Sequence, residues 1–518
     1  MKLLDFLSVS CYNKHIENKV VLKNFMGSNY EKLFEKDYAK LTSKVSNLEK
    51  LIKTLTGTIS NLNTTINTLN ATIGKKDDLI EKLILENNRL KNNNDKDSTN
   101  SGKPSSTDGL KKKRKIANLR PKTDKKKGGQ VGHKGTTADK ATVDKLLKRD
   151  DVAHVVIDIN KTDKNSNELY ITRYVQDIEV RTVLKEFRYY PDESGKYRIP
   201  KEQSNILTYG NGVKSISMLL VHKLPASMDS VVGFLSNITN NIFDITKSTL
   251  ANWTKAFSNG LDPFIEEILK NLLNSTYIHT DESPINVDGT LYQLHNYSND
   301  KYTLQYVHKS KSKEAMQELG FLNNFLGTLI HDHNTVQYNF GTGHAECNVH
   351  ILRYLQGVND FTKHKWAKNM SDLLKEILHQ KHLLIEKGKK AFLSSKIKEY
   401  SDRYDDILKK GKEEYLSDVL TNAYKDEERR LRTRLEKYKK NHLLFMNDFN
   451  IPFSNNRAEA DIRPAKRKLN VGIFRSVDGA EYFLQIRSFI STFLKNELNI
   501  FTGIKDIFAG KKISLLEG

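Results

Sequence analysis

TYIHTDESPINV (Thr276–Val287) alternates polar and apolar side chains around Asp281, and two further segments, LYQLHNY (Leu291–Tyr297) and YTLQYVH (Tyr302–His308), continue the pattern. A period of two sends successive side chains to opposite faces, so each segment reads as a strand. Asn299 and Asp300 mark a hairpin turn between the last two. SKEAMQELGFLNNFL (Ser312–Leu326) reads as a helix, and it leads into GTLIHDHN, a short apolar strand ending at Asp332.

The order strand, strand, strand, helix, strand, with helices after it, is that of a ribonuclease H-like sheet. Residues 271–358 supply its first part and residues 451–518 its last part with the C-terminal helices, where Asp478 reads as the cap of a helix reaching Phe493. Between them, residues 359–450 carry tyrosines and leucines three and four apart and read as an α-helical insertion. The expected class is therefore α/β, α-rich overall. Upstream, residues 209–270 look helical, and their two short helices fit either a helix-turn-helix or ordinary packing, with packing preferred. Residues 150–208 alternate in places (VAHVVIDI, LYITRYVQDIEVRTV) and suggest a small β-rich module without cysteine.

Nearer the N-terminus the period changes. Leu41, Val45, Leu48, Ile52, Leu55, Ile59, Leu62, Ile66, Leu69 and Ile73 recur at alternating steps of four and three, followed by Ile80, Leu83 and Leu90. β-Branched residues at one seam position and leucine at the other suit a parallel two-stranded coil, and Asn87 on the β-branched side fixes register. Lys76 interrupts the seam. The expectation is a self-associating coiled coil over residues 36–92, after an N-terminal segment of residues 1–35 that lacks the apolar stretch of a signal peptide. Residues 93–149 read as a flexible basic linker. Residues 101–150 hold 16 Lys or Arg against 5 Asp or Glu, about half of the chain's excess charge. Lys111, Lys112, Lys113, Arg114, Lys115, Lys125, Lys126, Lys127 and Lys134 lie in its densest part and are candidate phosphate contacts.

The whole chain has 518 residues, a formal charge of +21 and 37% hydrophobic residues. That length excludes a single small module, and the charge favours a polyanionic partner, nucleic acid first. Two cysteines, Cys11 and Cys347, exclude a disulfide framework and suit a reducing cytosol. No apolar run approaches a membrane span.

Three acidic residues stand where chemistry is expected: Asp281 in the first strand, Asp332 at the end of a later one, and Glu459 at the start of NNRAEADIRPAKRK, capped by Asn455 or Asn456. In a ribonuclease H-like sheet these positions converge, and carboxylates that converge hold Mg²⁺ or Mn²⁺. By spacing alone the triplet is weak, since each aspartate also suits a strand end and Glu459 also suits pairing with Arg463 at i+4. A competing zinc set would be His331, His333, Cys347 and His350. On a strand, however, His331 and His333 share one face while Asp332 takes the other, which favours Asp332 as ligand with Cys347 and His350 in support.

In combination these motifs resemble the bacterial transposases of the insertion-sequence-66 family across most of residues 35–518. The resemblance rests on the zipper, NSGKPSS, KKKGGQVGHKG, YGNGVKSI, STLANW, HTDESP, the strand ending in HDH, GTGHAECNVHILRYL, and above all PFSNNRAEADIRPAKRKLNVGIFRS. It implies an Asp-Asp-Glu triad of Asp281, Asp332 and Glu459, binding two Mg²⁺ or Mn²⁺ ions, and cleavage at transposon ends followed by strand transfer to target DNA. It also implies a homodimer or larger assembly and accessory proteins of the same element, in a bacterial cytoplasm and at the nucleoid when bound to DNA. The Cys-x-x-His element, Cys347 and His350, then supports the site. Arg457, Arg463, Lys466, Arg467 and Lys468 are expected to grip phosphate. Two departures stand out. Residues 150–208 lack the family's finger cysteines, so zinc is not expected there, and Ala460 follows Glu459 where arginine is common. The rival function is a dimeric DNA-binding protein with a decayed catalytic core.

Overall fold

The computed structural model describes residues 28–95, 140–150, 152–159, 171–200, 203–417 and 424–515. The chain separates into two units, residues 1–94 and 95–518. In the first unit, helix α1 (Ser28–Asp95) runs for 68 residues, about 100 Å at 1.5 Å per residue. Threonines off the seam, such as Thr54 and Thr58, return their hydroxyls to the carbonyl four residues back, which satisfies them without a partner. The seam leucines and isoleucines are roughly half exposed, from Val45 at 48% to Leu41 at 61%. The helix covers residues 36–92; a coil needs a second helix on that stripe.

In the second unit, α2 (Lys140–Leu147) precedes extended chain. Residues 152–159 and 171–200 form no strand pairing among the described residues, with Val175, Ile178 and Leu184 exposed. The β-rich module expected over 150–208 is thus not seen as a sheet in its described part. Alternation supplies one face of a strand, and a ladder needs neighbouring backbone that this segment does not find among the described residues.

Helices α3 (Asn211–Met218), α4 (Met228–Ile238), α5 (Lys247–Asn259) and α6 (Asp262–Leu273) lead to the sheet, joined after α3 by a π-helical turn at Leu219–Lys223. They pack as an ordinary helical layer in one core. The sheet strands are β1 (Tyr277–Val287), β2 (Thr290–Ser298), β3 (Thr303–His308), β4 (Thr328–His331) and β5 (Gly343–Glu346), in the order β3-β2-β1-β4-β5. β1 pairs antiparallel with β2 and β2 with β3, while β4 runs parallel to both β1 and β5. The short helix α7 (Lys313–Glu318) crosses from β3 to β4. Asp281 does not end its strand: pairing to β2 continues to Val287, and only the pairing with β4 stops, at His279.

Alternation divides the sheet between two cores. Ile278, Leu304 and Leu329 bury against α3 to α6 and the C-terminal helices α15 (Val477–Lys495) and α16 (Ile500–Phe508). Ile330 and Ala345 face the other way, onto α8 (Asn348–Thr362), α9 (Lys365–Glu386), α10 (Ser394–Ser417) and α11 (Lys425–Lys437), with the short helices α12 (Lys439–His442) and α13 (Leu444–Asn447). Close approach of α10 to α9 requires Gly411, whose added Cβ would lie 2.7 Å from the Trp366 ring. The remaining helix, α14 (Asn456–Val471), lies against β1 and β2 through Ile462 and Ala465. Ser476, not Asp478, caps α15, accepting the Gly479 N–H; Asp478 lies in the first turn.

Candidate active site

The last parallel pair between β1 and β4 is His279 with Ile330. Two residues beyond each lie Asp281 and Asp332, so the register sets them level, and the two-residue period sends both to the face that Ile330 shares with the insertion helices. Glu459 reaches the same place from the first turn of α14.

Asn455 holds that turn in position. It stands at the N-cap of α14, fully buried, but its side chain makes no cap bond. Instead its Nδ2 donates to the Thr280 carbonyl at 2.8 Å and its Oδ1 lies 3.0 Å from His279 Nδ1, clamping α14 to β1. Its backbone N–H donates to Cys347 Sγ at 3.1 Å. Cys347 in turn donates its N–H to the His331 carbonyl, and Asn348 donates to the Phe453 carbonyl, each at 3.0 Å. These bonds join the end of β4, the start of α8 and the start of α14. One turn into α8, His350 places Nδ1 3.2 Å from Asp332 Oδ2 and Nε2 4.0 Å from Glu459 Oε1.

The electrostatics follow from this crowding. Burial, then the charges of Asp332, Glu282 and Glu459, push the Asp281 carboxyl well above the usual carboxylate range, against a small pull from Lys466. For Asp332 burial also opposes charge, but the nearby His350, with Asn455 and Cys347, outweighs it and holds the group below its usual value. Burial raises the Cys347 thiol well above normal, with Asp332 adding to it. Asp281 and Asp332 line an open cleft with Glu282, Lys311 and Gln337. Asp332 Oδ1 is buried there with no hydrogen-bond partner among the described residues. Hard oxygen donors, an Asp281 carboxyl whose charge is opposed by burial and by neighbouring carboxylates, and an orphaned carboxylate oxygen are what a divalent cation satisfies, so these residues fit Mg²⁺ or Mn²⁺.

His331 and His333 lead elsewhere. His333, at φ 68° directly after Asp332, places Nδ1 2.5 Å from Glu346 Oε1. Glu346 is fully enclosed and also receives the Tyr338 hydroxyl (2.5 Å) and the Arg434 guanidinium (2.6 and 2.9 Å). Burial opposes its charge, yet His333, His442, Arg434 and Tyr338 hold it well below the ordinary range. His331 packs against Tyr338 and His344. The four-residue zinc set considered from sequence is thus split, with His331 and His333 around Glu346 and Cys347 and His350 beside Asp332.

Among the basic residues, Arg457 is drawn to Asp300 (3.3 Å) and Arg463 to Glu459 (3.7 Å). Lys468 donates to the Gly472 carbonyl and lies over the Phe474 ring. Lys466 and Arg467 are exposed. Lys111, Lys112, Lys113, Arg114, Lys115, Lys125, Lys126, Lys127 and Lys134 fall outside the described residues. Sequence reasoning passed over Glu282, Glu346, Arg434 and the clamp of Asn455. Glu282 adjoins Asp281, and its bonds from Asn334 (3.0 Å) and Gln337 (2.6 Å) exist only once the loop after β4 folds back.

A helix-rich α/β protein whose mixed sheet gathers carboxylates from two parallel strands and a later helix is built for chemistry that acidic groups share. Residues 236–482 match the model of the transposase IS66 family. This span, which contains Asp281, Asp332, Glu459 and the whole helical insertion, belongs to that family. No curated protein and no solved structure matches the chain.

Proposed function

We propose that this protein is a DNA transposase with a ribonuclease H-like core, cutting DNA at the ends of its insertion sequence and joining them to target DNA. One observation carries it: Asp281 and Asp332 stand level at the point where two parallel strands part, and Asp281 carries the electrostatic imprint of both Asp332 and Glu459. Asp281, Asp332 and Glu459 would hold Mg²⁺ or Mn²⁺. When bound, a pair of such ions supplies an activated oxygen nucleophile and stabilises the leaving oxygen of an in-line phosphoryl transfer.

The chain's own residues prepare that site. His350 orients Asp332, and Asn455 sets the start of α14 so that Glu459 returns to β1. Lys466 and Arg467, beyond Glu459 on the exposed side of α14, are placed to hold DNA phosphates; Arg457, Arg463 and Lys468 join them by exchanging their present partners. The basic linker of residues 93–149 adds salt-sensitive affinity for the element's ends. Self-association through α1 brings two ends together, in a bacterial cytoplasm at the nucleoid, with accessory proteins of the same element. No described helix is long and apolar enough to cross a membrane.

The test is cleavage of element-end DNA with Mg²⁺ by the full chain. Asp281→Ala is expected to lose at least about 100-fold, because a ligand is removed outright where partners of ligands alone cost ~10–100-fold. Equal activity in both proteins would show that cleavage does not use Asp281, and none in either would leave a DNA-binding protein without catalysis. For self-association, Ile59→Lys places a charge in the seam and is expected to convert a dimer to a monomer in sedimentation velocity; a monomeric wild type would remove that part.

A further inference from the structure

The Asp332 side of the cleft carries donors that magnesium does not favour. The carboxylate of Asp332, Sγ of Cys347 and the imidazole of His350 offer three donor atoms lying within 4.8 Å of one another. Thiolate and imidazole are ligands of borderline and soft ions. The 3.2 Å between His350 Nδ1 and Asp332 Oδ2 is close to the edge that two ligands of a tetrahedral zinc ion make, roughly 3.3–3.8 Å for bonds of about 2.0–2.3 Å.

The donors are also short of other partners. Asp332 Oδ1 is buried and makes no hydrogen bond among the described residues, and His350 Nδ1 faces Asp332 Oδ2 at 3.2 Å. Sγ of Cys347 accepts the Asn455 N–H, a bond that offsets part of the burial opposing thiolate, and a metal ion would have to supply the rest. Glu459 Oε1, 4.0 Å from His350 Nε2, is placed to take the remaining N–H of an imidazole bound through Nδ1, the usual carboxylate partner of a metal-bound histidine. Arg353 Nη1, now 3.2 Å from Nε2, must leave that nitrogen when it carries the proton.

We propose that Asp332, Cys347 and His350 form a site for one ion of the zinc class, with water as fourth ligand. Binding releases the Cys347 thiol proton to solvent. The site is regulatory: it shares Asp332 with the catalytic ions and ties Glu459 to His350, so zinc occupancy withdraws two of the three carboxylates from catalysis. That consequence rests on the transposase reading above; the binding itself does not.

The experiment uses full-length protein, chelator-treated and reduced, titrated with Co²⁺ and then with Zn²⁺. One equivalent of Co²⁺ is expected to give the intense visible absorption of a tetrahedral ion and a thiolate charge-transfer band, both bleached by one equivalent of Zn²⁺. Cys347→Ser should abolish the charge-transfer band, Cys11→Ser should leave it, and His350→Gln should weaken Co²⁺ binding at least about 10-fold. Because Cys347 is buried, His350→Gln supplies the test that leaves the core untouched, with circular dichroism reporting the fold of each variant. A weak octahedral spectrum unchanged by Cys347→Ser and His350→Gln overturns the site, as does a band that Cys11→Ser removes. Thiolate-bound Co²⁺ in a protein that cleaves no DNA upholds the site and counts against the transposase reading alone.

Discussion

Asp281 and Asp332 occupy equivalent places on neighbouring strands, yet the two sides of the cleft they line differ in almost every other respect. Around Asp332 the chain is braced: His350 lies beside it, Cys347 and Asn455 lock the surrounding backbone, and His333 ties the next residue to Glu346 and Arg434. Around Asp281 the additional charges are mostly negative, from Glu282, Asp332 and Glu459. Strand register can set two carboxylates level, but what packs behind each one decides whether its charge is welcome. One side of the site is a structural joint, and on the other burial and neighbouring carboxylates oppose the charge.

The largest effect should come from cutting the brace. Glu346→Gln strands Arg434 beside an enclosed amide, and breaking one partner of a buried ion pair costs about 3–5 kcal/mol, measurable by urea unfolding. The folded-state pKa of Glu346 is depressed. Its contribution is therefore fully present above the unfolded value of about 4.3 and is lost as pH falls toward the lower folded value, so wild type and variant should converge in acid. Equal stability at neutral pH would show that the Asp332 side is not braced by Glu346.

A smaller effect has opposite signs on the two sides. In chelator-treated protein at pH 7, Asp281→Asn should raise the Tm and Asp332→Asn should lower it, by shifts of order 2–4 °C. A raised folded pKa, as at Asp281, means stability present below the unfolded value of about 3.9 and lost as pH rises through the folded value, and the asparagine escapes that loss. Asp332, with its lowered pKa, gives the reverse. Shifts of the same sign would erase the contrast. Smallest of all, Arg463→Ala should change stability by less than about 1 kcal/mol, because its 3.7 Å pair with Glu459 is largely in solvent; a larger loss would mean that this pair, and not Asn455, sets the start of α14.

Periodicity made much of the architecture legible. The four-three step announced α1, and alternation announced β1 to β4 in order. β5 was missed because GHAE is too short to show a period and sits among glycines. At residues 171–200 alternation exists without a ladder among the described residues. Asn455 was read as a cap because asparagine favours that position, but its side chain found better partners on β1. Glu346 lay unnoticed inside GTGHAECNVH, since its partners Arg434 and His442 come from the insertion nearly ninety or more residues away.

The amino-acid order by itself determined the repeat periods, the excess positive charge and the placing of Asp281 in a strand and Asp332 at the end of another, because these depend on neighbours along the chain. Only the tertiary structure decided that the two aspartates stand level, that Glu459 returns to them through Asn455, and that one of them is braced while the other is not. Those are properties of register and burial, and they arise only when segments far apart in the chain exclude water from the same place.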